Sequence, residues 1–308
     1  MVPASAESVL ERVKERGVLY CGGVARPGLA EQSVGAGWHG LEIDIGRAIA
    51  AAVLSSPDKV EFHAYATDGD FAEGAASDDL LFLTGSEISD HHLAGLIVPG
   101  PAVFVESQGV MVPGDSDIRQ LNDLKNRSIC FYIGSPSENE LNAYAQSAGL
   151  NVFRRPFSEV GEMVDAYAAR NCDAIAGEVT DLAAIREEEE VRRLASRILP
   201  ETLSDFPVLV ATGTSDAQWS SRVVWTVYTL ISGERQESPW HAGGAGAMPV
   251  DAPELGLPKG WQGAVLKAVG NYGDIFRRNL GAGSALNLER GIHVDRVEQG
   301  FLVSPVLD

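Results

Sequence analysis

Gly134-Ser135-Pro136-Ser137-Glu138 follows the apolar run Ser128-Ile129-Cys130-Phe131-Tyr132-Ile133 and leads into a helical stripe through Leu141, Tyr144 and Ala148. Strand, turn and helix in that order place free backbone N–H groups and hydroxyls at a helix N-terminus, where the dipole favours an anionic group. The turn also lies at the carboxyl end of a strand, the end at which open α/β sheets bind ligands. The same residues read equally as a plain cap, because Ser137 and Glu140 stand at capping-box spacing.

Other reactive side chains form no recognised constellation. His91 and His92 are adjacent, which puts them on opposite faces of a strand or about 100° apart on a helix, so one metal is not expected to use both. Cys21, Cys130 and Cys172 show no metal-binding spacing. The run Glu187 to Glu190 precedes Arg192 and Arg193, and predicts Glu188–Arg192 and Glu189–Arg193 pairs on a solvated helix face. The sequence contains no phosphate-binding Gly loop, HExxH pair, nucleophile elbow or CxxC. Gly243-Gly244-Ala245-Gly246 lacks the strand before and helix after that a nucleotide site needs, and reads as loop. No cofactor, no metal and no catalytic residue is expected.

The elements that would position these residues alternate. A polar helix from Glu7 to Arg16 leads into a strand at Val18 to Cys21, and a Gly/Ala-rich loop runs from Gly22 to Gly37. Ile45, Ile49, Ala52 and Val53 form one helical stripe, ended by Pro57. Val60 to Tyr65 alternates as a half-buried strand, and Leu80 to Leu83 is a short buried one. Beyond the central turn, Gly149 stops the helix and Asn151 to Phe153 is a strand. A helix then buries Val160, Met163, Val164 and Tyr167 before a strand at Ala174 to Ala176. Strand–helix–strand–helix–strand predicts a parallel α/β unit. Pro99 to Ser107 and Leu203 to Pro207 are candidate crossings between two halves. Ser215 is the expected cap of a helix through Trp219, Val223, Val227 and Leu230, and Ser238 to Leu257 reads as a long loop.

At 308 residues, with 45% hydrophobic and 22% charged, the chain has the length and composition of a two-domain globular protein. A net charge of −19 argues against nucleic acid, whose phosphates need a basic face, and against an anionic membrane surface. No apolar run approaches the eighteen or so residues of a membrane span. The first residues, Met1 to Ser8, have neither a basic n-region nor an apolar h-region. That leaves a cytoplasmic protein or one whose signal peptide has been removed. One disulfide with one buried thiol would fit export, and three thiols would fit the cytosol.

Gly37-Trp38-His39-Gly40-Leu41-Glu42-Ile43-Asp44 with Pro57-Asp58-Lys59-Val60, Gln108-Gly109-Val110-Met111-Val112, and Asn171-Cys172-Asp173-Ala174 resemble one family along most of the chain. The most specific match is Val269-Gly270-Asn271-Tyr272-Gly273-Asp274-Ile275-Phe276 through Leu288-Glu289-Arg290-Gly291. The chain resembles the general L-amino-acid-binding periplasmic proteins of polar amino-acid ABC importers. That resemblance implies an α/β bilobed type II periplasmic-binding-protein fold, with two mixed-sheet lobes joined by two hinge strands. Residues 1–105 and 212–308 would form lobe I, and 106–211 lobe II. It further implies a non-enzymatic, periplasmic, monomeric protein that encloses a small polar solute and hands it to membrane permease subunits. Cys130, mid-strand, and Cys172, beginning a neighbouring strand, are expected in one lobe, with Cys21 in the other; a bridge between them needs Cα atoms within about 7 Å, and a larger separation would leave three thiols.

The resemblance assigns a ligand carboxylate to the turn at Ser135 and Ser137, and a ligand ammonium to Glu178. The family's carboxylate-clamping Arg should fall within Thr84 to His92, which holds none; Ser86, His91 and His92 stand there. Histidine cannot replace a bidentate guanidinium, and both histidines also read as a solvated pair. Arg26 is the remaining candidate for a relocated clamp. The expectation is an importer's binding protein whose ligand is not a standard α-amino acid or binds in a changed pose. An ordinary amino-acid ligand ranks close behind, followed by a repurposed partner protein and then a cleft enzyme.

Overall fold

The computed structural model describes residues 8–35, 37–66, 68–84, 95–234, 253–294 and 299–304. The chain divides into two compact units, residues 1–104, 207–284 and 289–308, and residues 105–206 with 285–288.

Unit 1 is built on strand β1 (Leu19–Gly23). On one side β4 (Val60–Ala64) runs parallel to it, pairing Leu19 with Val60 through Gly23 with Ala64. On the other, β5 (Leu80–Leu83) is also parallel, and β11 (Ser204–Gly213) runs antiparallel to β5. Helix α1 (Val9–Arg16) precedes this sheet. The segment expected as loop contains a short hairpin, β2 (Glu31–Ser33) with β3 (Gly37–His39); strands of three residues leave no periodic signal.

Helix α2 (Leu41–Leu54) buries nearly every residue, and the Asp68–Ser77 helix is α3. The first turn of α2 is pinned rather than open, since the Leu41 and Glu42 amides donate to Gly28 and Leu29 carbonyls at 2.9 and 3.0 Å. Gly40 makes that approach possible. It sits at φ +129°, and a Cβ there would lie 2.1 Å from the Leu29 oxygen.

Unit 2 carries the order β6–β9–β7–β8. Strand β6 (Ile97–Val112) enters from unit 1. It pairs antiparallel with β9 (Ala174–Glu178), which is parallel to β7 (Ser128–Tyr132), itself parallel to β8 (Phe153–Phe157). The expected strand at Asn151 to Phe153 therefore starts two residues later and runs longer. Antiparallel β10 (Arg197–Ile198) joins β6.

Alternation assigns each residue to one of two cores. Val110, Ile129, Phe131, Ala174 and Ala176 pack with Leu141 on one face. Met111, Cys130 and Ile175 pack with Met163, Val164 and Tyr167 on the other. Those helical residues come from α4 (Pro136–Ser147) and α5 (Val160–Ala168). Within the second core Cys130 and Cys172 are bridged, with Cα atoms 5.8 Å apart, while Cys21 is a buried thiol in unit 1.

The acidic run departs from expectation. Helix α6 (Val179–Glu187) ends before Glu188, whose ψ of 141° is extended, and the four-residue α7 (Glu189–Arg192) starts after it. The break destroys the i,i+4 spacing of Glu188 with Arg192. Arg192 instead reaches Glu187, Nε to Oε2 at 3.8 Å. Helix α8 (Ala217–Ser232) is capped by Asp216 rather than Ser215, with the Trp219 amide donating to Asp216 Oδ1 at 2.9 Å. It buries Trp219, Val223, Val227 and Leu230. Two further helices, α9 (Trp261–Val269) and α10 (Tyr272–Asn279), also belong to unit 1. Most of the loop expected at Ser238 to Leu257 lies outside the described residues.

Candidate functional site

The carboxyl ends of β7 and β9 bring Ser135, Ser137 and Glu178 together in unit 2. Helix α4 begins two residues earlier than capping-box spacing suggests. Pro136 occupies its first position and Ser135 is the N-cap, accepting from the Glu138 amide at 3.3 Å. Proline's fixed φ and missing N–H suit that position and move the cap forward. Ser137 thereby turns inward. It is buried, and its hydroxyl donates to the side-chain carbonyl of Gln108 on β6. Gln108 is in turn the register partner of Glu178. One strand residue thus bonds to the helix start and pairs in register with Glu178.

Glu106 shares the face of β6 that carries Gln108, two residues away. Its buried carboxylate accepts from the Thr180 amide at 3.3 Å and hydroxyl at 2.6 Å. A negative charge there sits at the positive end of α6, so a strand residue does the capping that half-buried Glu178 leaves undone. Sequence reasoning missed Glu106, Gln108 and Thr180. The available signal was the polar run Glu106-Ser107-Gln108, interrupting a strand that is apolar on both sides of it.

The turn itself is less open than expected. The Gly134 amide donates to the Glu138 carboxylate at 2.7 Å. The Ser135 hydroxyl donates to the Tyr132 carbonyl at 2.7 Å, as does its amide at 3.3 Å. Both hydroxyls are therefore engaged within unit 2.

In unit 1, Arg26 closes a tight turn after β1, its amide donating to Ala30 at 2.9 Å, and its side chain is half-buried. Ser86, His91 and His92 lie outside the described residues. Among the described residues no group of three or more His, Cys, Asp or Glu is placed to hold a metal, and no helix is long and apolar enough to cross a membrane. A depression lined by Leu150 to Arg155 lies at the amino end of β8, away from the turn.

No family model matches the chain. It is similar to the general L-amino acid-binding periplasmic protein AapJ of Rhizobium johnstonii, 28% identical, with 98% of this chain and 93% of that one covered. It is also similar to the glutamate/glutamine/aspartate/asparagine-binding protein BztA of Rhodobacter capsulatus, 25% identical over 98% and 94%. Among solved structures it matches an ABC transporter periplasmic binding protein from Brucella ovis with glutathione bound. There the TM-score is 0.74 at 26% identity, covering 98% and 99% of the two chains. Over nearly its whole length the chain is thus similar to periplasmic solute-binding proteins of amino-acid ABC importers. Its α/β fold is theirs as well, and these relatives are named as binding proteins rather than enzymes.

Proposed function

We propose that this chain captures a small polar, amino-acid-like solute in the periplasm, as a monomer, and delivers it to the permease subunits of an ABC importer. The observation that supports this most is the assembly of Ser135, Ser137, Gln108 and Glu178 at the carboxyl ends of β7 and β9. It occurs in a chain whose relatives match end to end. Glu178 is suited to a ligand ammonium, and the head of α4 to a polar group. Arg26, Ser86, His91 and His92 are proposed as further ligand contacts.

The ligand is proposed to be an amino-acid derivative or short peptide rather than a free standard α-amino acid. The missing arginine between Thr84 and His92 supports that choice, because a bidentate guanidinium is the strongest carboxylate receptor a side chain can offer. Glutathione is the first such solute to try, given the bound ligand of the Brucella ovis protein.

A thermal-shift screen tests the reading. It would cover amino acids, their derivatives, glutathione, and small cationic or sulfur- and phosphorus-containing solutes. A ligand at a hundred times its Kd adds about 2.7 kcal/mol of stability, a rise in melting temperature that is easily read. Absence of any shift across the panel at millimolar concentration would refute solute capture.

A further inference from the structure

We propose that Pro136 is a specificity-determining residue, which makes the head of helix α4 a poor receptor for a carboxylate and a better one for a neutral polar group. The inference rests on the solute-binding reading above and concerns what the same site accepts.

A carboxylate leaving water needs several donors to replace its solvation, and charge-assisted hydrogen bonds are strong only when those donors are uncommitted. Each donor of the turn can be followed. The Gly134 N–H goes to the Glu138 carboxylate. The Ser135 N–H and hydroxyl both go to Tyr132. The Glu138 N–H goes to the hydroxyl and carbonyl of Ser135, and the Ser137 hydroxyl goes to Gln108. Pro136 has no N–H. Among the described hydrogen bonds, this leaves the Ser137 amide as the turn's uncommitted donor.

Position 136 matters most because it is the first residue of α4. An N–H at that position has no partner inside a helix and points outward along the axis, toward whatever the helix faces. Any other residue type at 136 would present that donor where the dipole adds to it. Proline removes it, and the Glu138 carboxylate brings a negative charge into the turn at the Gly134 amide. A carboxamide, which carries no net charge and brings its own donor, suffers from neither.

Matched probes separate carboxylate recognition from binding in general. L-Glutamine, L-alanine and L-arginine would each be titrated calorimetrically alongside their C-terminal amides. The proteins are the unaltered chain, Pro136→Ala and Pro136→Ser; the serine variant keeps a residue suited to a helix start if the alanine variant folds poorly. The acid-to-amide affinity ratio is expected to rise at least about tenfold, or 1.4 kcal/mol, in both variants. Acid binding that appears only in the variants would support the inference equally. A ratio that moves less than about threefold (roughly 0.65 kcal/mol) while some probe binds would overturn the role of Pro136 and leave solute capture standing. No binding of any probe by any of the three proteins would overturn the inference; the broader thermal-shift panel then decides separately whether solute capture falls with it.

Discussion

The hydroxyl of Ser137 donates to the side-chain carbonyl of Gln108, and both residues are buried, at 2% and 1% exposure. A helix start and a strand are joined there by one polar contact out of reach of water. Removing one partner leaves the other unsatisfied, which costs more than the bond is worth. Ser137→Ala is expected to lower stability by about 1–3 kcal/mol in urea unfolding. Gln108→Leu combined with Ser137→Ala should recover part of the loss. Equal stability of the single variant and the unaltered chain would show that the contact does not hold the turn.

The Cys130–Cys172 bridge closes a loop of 42 residues. Loop-closure entropy assigns such a cross-link about 4 kcal/mol. Cys130→Ser with Cys172→Ser should therefore unfold at clearly lower denaturant. The unreduced chain should titrate a single thiol, Cys21, and only after unfolding. Three titratable thiols without reductant would contradict the bridge.

Unit 1 carries a pH-dependent pair. His63 Nδ1 lies 2.7 Å from Asp78 Oδ1, and Nε2 lies 3.3 Å from Glu61. Burial disfavours the charged ring, but the hydrogen bond and charge of Asp78, with Glu61 in support, outweigh it and raise the His63 pKa above the ordinary 6.5. The folded state then binds the proton more tightly than the unfolded one. The stabilisation is fully present below pH 6.5 and is lost as pH rises through the higher folded value. His63→Gln should cost more stability at pH 6 than at pH 8.5, by no more than about 1 kcal/mol, because the ring is partly solvated. A cost that is the same or larger at pH 8.5 would reverse the assignment.

Gly40 is held by both its backbone angle and its neighbour. At φ +129°, with the Leu29 oxygen 2.1 Å from a built Cβ, Gly40→Ala is expected to destabilise unit 1 by at least about 2 kcal/mol. A thermal melt unchanged by the substitution would show that the loop from Gly28 to Leu29 yields freely.

Much of this was legible before any coordinates. The apolar run Ile129-Cys130-Phe131 foretold its strand, and the stripe of Trp219, Val223, Val227 and Leu230 foretold its helix. The departures have local causes. Pro136 advanced the helix cap from Ser137 to Ser135, a shift that proline's preference for the first helical position could have signalled. The break at Glu188 had no such mark. No glycine or proline stands there, and the interruption accompanies burial of Val191 among residues distant in sequence, which periodicity does not report. Gln108 and Glu106 were hidden by partners some 30 and 70 residues away.

The central claim is solute capture with altered ligand recognition, and calorimetric titration tests it most directly. L-Glutamate, L-glutamine, L-arginine and L-alanine are compared with glutathione and with amino-acid amides on the unaltered protein. The account predicts that at least one derivative or peptide binds with a Kd of about 10 μM or tighter, while the four standard amino acids bind weakly or not at all. Binding of any of those four with a Kd below about 1 μM would contradict it.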